Sequence, residues 1–591
     1  MSHNPSPSLG AAGAGAARAG PAANSGAHSQ PSALACNQPL RPGLPPLLLA
    51  ALLALRPLQA PVQTQALMSC HRRGERHFDA LVFGDEPAGV MTALELARTL
   101  RQLARRPRPR IALVTDADIR PGLGGTIARG GLAYLDRNQV PQDMAGLLPP
   151  FAPSSELYGR FLKLTGVRQI AVDPRRASRA FTSALHRASI TVLPRAALVG
   201  TAREGQRLCV LQSRRYGSVG ADVFIDASIG ADLAHQAGVG FRSGLGSRGL
   251  SRESIALGWI FEVQGLNLAR LHALEEQLTR RLLNPRDNEA QGWIALWRAG
   301  HRDQGALRPR LLEPNGTPRL AFSSTSDSAD QRSPALAIAF HGEQHLPPGL
   351  NAGQPVMDPA NVAILSDRLS FNALLFRNNA EQNRRVLAGG SRPLPAMRPV
   401  AQAVTQFFRR HGARRVLWMP ELYVRSADQI AHAWDPLSAD VMAAGGVPTS
   451  EALGTFTYNL DFRGGLDELI PRARPTFNFG YRHTLPRELD NLAVLGPSSG
   501  YDGLGEGAGR IIELNVSVGQ GLAIAAALAL NHHIALAAVN PQAVAALMPA
   551  NGLPYGRPSE STLANLLLRR LAYAVVSVLP APLGDWVWDR L

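Results

Sequence analysis

The sequence predicts an α/β fold, and two observations carry that expectation. The first is a strand–turn–helix–strand order near residue 80. Asp79-Ala-Leu-Val-Phe83 is a short apolar run, Gly84 to Gly89 turns the chain, and apolar residues recur at helical spacing from Val90 to about Leu103. A second buried-type run, Ile111-Ala-Leu-Val-Thr115, follows at the distance a βαβ unit needs. The second observation is size and composition. With 591 residues, 45% hydrophobic and 18% charged, the chain can bury large cores. At about 150 residues per domain, two to four domains are expected. This composition excludes a wholly disordered chain, a collagen and a small disulfide scaffold.

The formal charge of +16 suggests a nucleic-acid partner, but its makeup argues otherwise. Lys163 is the one lysine, and arginine supplies the rest of the 61 basic residues. They are scattered, with short clusters such as Arg105, Arg106, Arg108 and Arg110, and read as a general basic surface. No nucleic-acid partner is therefore expected. Three cysteines (Cys36, Cys70, Cys209) cannot build a four-cysteine cluster, and they cannot all pair. They point to a reducing compartment and a protein that does not depend on disulfides, hence to a cytoplasmic location.

Residues 1–67 are rich in Ala, Gly, Ser and Pro and read as a disordered or non-structural tail. Within them the apolar run Leu47 to Leu55 is too short to span a bilayer, which needs about 20 residues. It has the length of a signal-peptide core, which leaves export as the alternative. A start at Met68 would remove that alternative. The apolar stretch Leu563–Leu579 is interrupted by Arg569-Arg570, so no transmembrane segment is expected there. It reads as docked on the protein, with peripheral membrane contact as the second reading.

The turn Gly84-Asp-Glu-Pro-Ala-Gly89 is a partial dinucleotide motif. Its helix start at Pro87 would receive a pyrophosphate, and Asp116 after the second strand would hold a ribose hydroxyl. Glu86, however, occupies the middle glycine's place. A carboxylate about 4 Å from a phosphate costs roughly 4 kcal/mol at an effective dielectric of 20. Either Glu86 turns away, or the pyrophosphate sits differently, or binding is lost.

Four separated segments, in order, resemble the FAD-dependent oxidoreductase family of flavoproteins with two dinucleotide-binding domains. The 79–103 unit resembles its FAD-binding start, and Gly124-Gly-Thr-Ile-Ala-Arg-Gly-Gly131 its glycine loop over the flavin. Ala221 to Ala234 is similar to the family's strand and D-A-T-G-D-G-D-L-A turn. Asp490 to Gly496, Gly507-Ala-Gly-Arg510 and Gly519-Gln520-Gly521 resemble the segment that closes the domain. The hairpin expected around Gly205, within Ile190–Gln212, fits the same pattern. The resemblance implies a Rossmann-like FAD-binding domain built from discontinuous segments (76–240 and 476–540). It also implies an inserted α+β substrate domain (241–475) and a C-terminal extension (541–591).

On the same resemblance, the residues that would hold FAD are Gly84, Glu86, Pro87, Ala88, Gly89, Asp116, Gly124, Gly125, Thr126 and Arg129, with Asp226, Ala227, Ser228, Arg510, Gly519 and Gln520. Gly519 would stand at a helix start facing the flavin. Catalysis would fall to Arg425, Tyr481, Arg482 and His483, the arginines binding a small-molecule carboxylate and His483 moving a proton. The implied activity is hydride transfer from a small organic substrate to FAD. The alternative is a non-catalytic binding protein of this fold with weakened or lost FAD binding. Ile229 and Ser426 are two further departures from the family pattern, beside Glu86. His341 and His345 flank Glu343, but Gly342 and Pro347-Pro348 predict a loop, so no metal is expected.

Overall fold

In the computed structural model the described residues are 70, 76–103, 108–139, 152–245, 254–300, 306–325, 327–349, 355–359, 361–462 and 474–548. The 1–67 tail, Met68 and the Leu563–Leu579 stretch lie outside them.

The expected βαβ unit forms from β1 (Arg76–Phe83), α1 (Pro87–Leu103) and β2 (Ile111–Thr115). Proline opens α1, where its missing N–H costs nothing. Val90, Ala93, Leu96, Ala97 and Leu100 give the helix a buried stripe. After α2 (Glu156–Thr165) and α3 (Pro174–Arg187) come β3 (Thr191–Pro194), β4 (Leu198–Glu204), β5 (Arg207–Ser213) and β6 (Gly217–Asp226). The sheet order is β3-β2-β1-β6-β5-β4. The β3-β2-β1-β6 half is parallel and the β4–β5 hairpin antiparallel. Parallel strands covered on both faces read as unbroken apolar runs, as Ala80 to Phe83 and Ile111 to Val114 do.

A second sheet organises the middle of the chain. Its strands are β7 (Phe261–Gln264), β8 (Phe322–Thr325), β9 (Ser328–Asp330), β10 (Asn361–Ile364), β11 (Leu369–Phe371) and β12 (Arg415–Trp418). They run in the order β8-β9-β10-β11-β7-β12. Its core draws on Leu257 through Val424, whereas Leu437, Met442, Phe456 and Tyr458 pack into the first core. One helix differs from the sequence reading here: Ala335–Glu343 is helical through His341 and Gly342. His341 accepts the Met357 N–H at 3.0 Å and its other ring nitrogen meets the Leu346 carbonyl at 2.6 Å. It is a satisfied core histidine.

The chain returns to the first sheet as β13 (Leu492–Val494), parallel to β6, and then enters the apolar helix Ile512–His532. Among the described residues this is the one helix long and apolar enough to cross a membrane, and it is packed inside the protein. Gly519 lies within it, not at its start. Val518 and Gln520 on either side of Gly519 continue the helix, and the glycine serves contact with α1. A Cβ there would stand 2.2 Å from Thr92 Oγ1. Gly519→Ala should therefore destabilise the protein by about 1–3 kcal/mol through overpacking, although alanine is the better helix former. Urea denaturation would show the loss.

Cys70 and Cys209 are joined in a disulfide across a separation of 139 residues. This departs from the expectation of a chain without disulfides in a reducing compartment. Pairing depends on β5 bringing Cys209 beside the segment before β1, which spacing alone does not reveal.

Candidate functional site

The carboxyl ends of β1, β2 and β6 open onto a cavity of about 740 Å³. Such strand ends are where open α/β sheets place ligands. Phe83 pairs with Asp226 in register, so the turns after β1 and β6 meet. Gly84 permits this meeting. Its φ is +98°, and a Cβ would lie 2.4 Å from the Ser228 nitrogen. Asp116, Ala117, Leu198 and Ser228 line one end of the cavity, and Gly390, Ser391, Pro420 and Glu421 the other.

Between these ends stand Asp85, Glu86 and Arg129. Asp85 is buried, and its carboxylate accepts N–H bonds from Gly124 at 3.0 Å and Gly125 at 3.4 Å. The Arg129 guanidinium grips the same carboxylate through two nitrogens, at 2.5 and 2.9 Å. Arg129 also donates to Glu421 at 2.6 Å and to the Gly122 carbonyl at 2.9 Å. Burial would raise the Asp85 pKa, but the Arg129 charge and these hydrogen bonds outweigh it and hold the carboxyl below its usual range. Glu86 accepts the Thr126 N–H at 3.0 Å. Its carboxylate lies so close over Gly125 that a Cβ there would meet Oε1 at 2.0 Å. Burial, and then the Asp85 charge, push Glu86 up to about 7.

Several other expected residues meet here. Gly89 packs close to Ala227, with a Cβ at 2.6 Å from the Ala227 methyl, and Pro87 and Ala88 open α1 in the buried turn. Asp226 organises the turn after β6 by accepting the Ser228 N–H and hydroxyl and the Ala234 N–H. Asp116 accepts the Leu198 N–H at 3.0 Å.

The expected catalytic residues are elsewhere, outside the cavity's lining. Arg425 binds the Ala256 carbonyl and Asn372 and lies over the Tyr423 ring. Tyr481 donates to the Val539 carbonyl, and Arg482 pairs with Asp435 and the Ala537 carbonyl. His483 packs against Tyr501, and burial pushes it down to about 3, so it is neutral near pH 7. Arg510 pairs with Asp461 at 2.7 Å. Gln520 accepts the Leu157 N–H at 3.0 Å. Ile229 lines the cavity, whereas Ser426 donates its hydroxyl to buried Glu506.

Asp85 and Glu421 escaped the sequence reading. Asp85 is the variable position between the first two glycine places, where the motif specifies nothing. Glu421 stands four residues before Arg425, but its approach to Arg129 needs the second sheet in place.

FAD is the cofactor that the sequence resemblance implies. In this arrangement the turn does not fit it: Glu86 stands at the middle glycine's place of the turn that would receive the pyrophosphate, with its carboxylate lying over Gly125. The Gly124, Gly125 and Thr126 N–H groups already hold carboxylates, and Arg129 is neutralised twice. A pyrophosphate at this turn would meet the Asp85 charge and, above about pH 7, that of Glu86 as well. No catalytic step through a flavin is derived from this geometry.

The family described as FAD dependent oxidoreductase matches residues 79–548. No curated protein matches the chain. Among solved structures, the myxobacterial chondrochloren halogenase CndH is 10% identical, covering 84% of this chain and 79% of its own, with a TM-score of 0.31. L-proline dehydrogenase from P. horikoshii is 11% identical over 75% of this chain and 92% of its own, at 0.30. Glycine oxidase from Geobacillus kaustophilus is 12% identical over 33% and 64%, at 0.22. Likeness at these scores assigns neither substrate nor activity.

Proposed function

The chain belongs to the FAD dependent oxidoreductase family, and from that premise we propose that it oxidises a small organic molecule with FAD as the hydride acceptor. The observation that supports this reading is the cavity at the carboxyl ends of β1, β2 and β6, walled by Gly84, Asp116 and Ser228. FAD, when bound, would supply the redox chemistry. The chain's own contribution is the cavity. Its nucleotide end is formed by the turns after the parallel strands. Its other end carries Arg392, whose guanidinium could receive an anionic substrate group. Reaching FAD requires Asp85 and Glu86 to leave the glycine loop.

A second reading has its own support: a binding protein of this family without redox turnover. The carboxylates on the Gly124, Gly125 and Thr126 N–H groups favour it. Purified full chain, saturated with FAD and then gel-filtered, separates the two. A yellow protein that bleaches anaerobically with a substrate supports the oxidoreductase. A protein that leaves the column colourless, its flavin lost, supports the binding protein.

A further inference from the structure

We propose that Asp85 and Glu86 are a built-in anion held on the glycine loop Gly124–Gly131 beside the dinucleotide turn, so that a dinucleotide enters only by displacing them. The proposal rests on the reading above, that this cavity is the dinucleotide site.

The argument is one of donor occupancy. A glycine loop and a helix start form an anion site because several backbone N–H groups converge without partners of their own. Here the converging groups are those of Gly124, Gly125 and Thr126, and side chains from the turn after β1 satisfy all three. Gly124 and Gly125 have φ of +124° and +39°, so the loop's shape depends on glycine at both positions.

The charges agree with a seat built for an anion. Arg129 reaches the same spot from the end of the loop and pairs with Asp85 and, from across the cavity, Glu421. Its side chain is 5% exposed, so it needs a compensating negative charge at all times. Asp85 supplies that charge now, and a diphosphate would supply it otherwise. The pair thus makes the loop stable without a nucleotide and sets the affinity a nucleotide must exceed.

The test is FAD binding to the full chain, followed by quenching of flavin fluorescence, with ADP as a second probe that lacks the flavin ring. The comparison is wild type, Glu86→Gln, and Asp85→Gly with Glu86→Gly together. Glu86→Gln keeps an acceptor for the Thr126 N–H and removes one charge, and should tighten FAD by about tenfold. The double variant bares the loop's N–H groups and leaves Arg129 paired with Glu421 alone, and should tighten FAD and ADP by about a hundredfold. If the double variant fails to fold, Glu86→Gln and ADP still decide the matter. Wild type binding FAD as tightly as the variants would overturn the built-in anion and leave the flavin reading intact. No binding of FAD or ADP by any folded form would overturn both.

Discussion

Arg129→Met should cost the fold about 3–5 kcal/mol, because it leaves the buried Asp85 carboxylate without its cation. Asp85 is 3% exposed and cannot reach water in place of the guanidinium. The N–H bonds from Gly124 and Gly125 remain, but neutral donors compensate a buried charge poorly. The variant also frees Glu421, which is half-buried and better able to rehydrate. Adding Asp85→Asn to Arg129→Met should recover most of the loss, since the amide keeps an acceptor and carries no charge. Urea denaturation of the two single variants and the double gives the coupling. Equal losses in Arg129→Met and the double variant would mean that the Arg129 stem, not its charge, holds the loop.

The second large effect is on pH. Stability should fall as pH rises from about 6.5 to 8. Glu506 is fully buried, accepting the Ala427 N–H at 3.0 Å and the Ser426 hydroxyl at 2.9 Å, and burial pushes it up to about 8. Glu275 is likewise raised by burial, to about 7, and Glu86 by burial and Asp85, to about 7. In the unfolded chain each ionises near its ordinary value of 4.5. Between the two values the native state holds more protons than the unfolded state, so alkali favours unfolding. Glu506 alone would contribute about 1.4 kcal/mol per pH unit across this window. His483 acts oppositely, but only below its unfolded value near 6.5, because its folded value is about 3. Glu506→Gln should remove this slope across the whole interval between about 4.5 and 8, and so flatten the profile above 6.5, where His483 no longer opposes it. A wild-type profile that is already flat from 6.5 to 8 would contradict the assignment.

β1 and β2 were legible because each carries a continuous apolar run bounded by a turn, whereas β3, which the reading placed in the hairpin region, pairs parallel with β2. The β4–β5 hairpin was legible from Gly205. Gly519 was misplaced because a run of small residues looks the same at a helix start and in a tight helix–helix contact. Only the α1 neighbour, Thr92, distinguishes them. Arg482 was chosen on the family resemblance and Tyr481 and His483 as its neighbours, yet the three side chains are engaged with Asp435, Val539 and Tyr501. Such partners come from distant segments and leave no local mark.

Glu86 is the instructive position. The sequence marks it as foreign to a dinucleotide turn and leaves three outcomes open. The structure shows a fourth arrangement in which the side chain crosses to Thr126 and takes up the loop's own donor. That depends on the loop folding back over the turn, which spacing cannot show.

Amide hydrogen exchange at Gly124, Gly125 and Thr126 tests the central claim most directly, in wild type and in the Asp85→Gly, Glu86→Gly double variant without added nucleotide. If the two carboxylates hold these N–H groups, wild type protects all three, and the double variant loses that protection while the rest of β1 and α1 keeps theirs. Equal protection in both proteins, or rapid exchange in wild type, would contradict a built-in anion on the glycine loop.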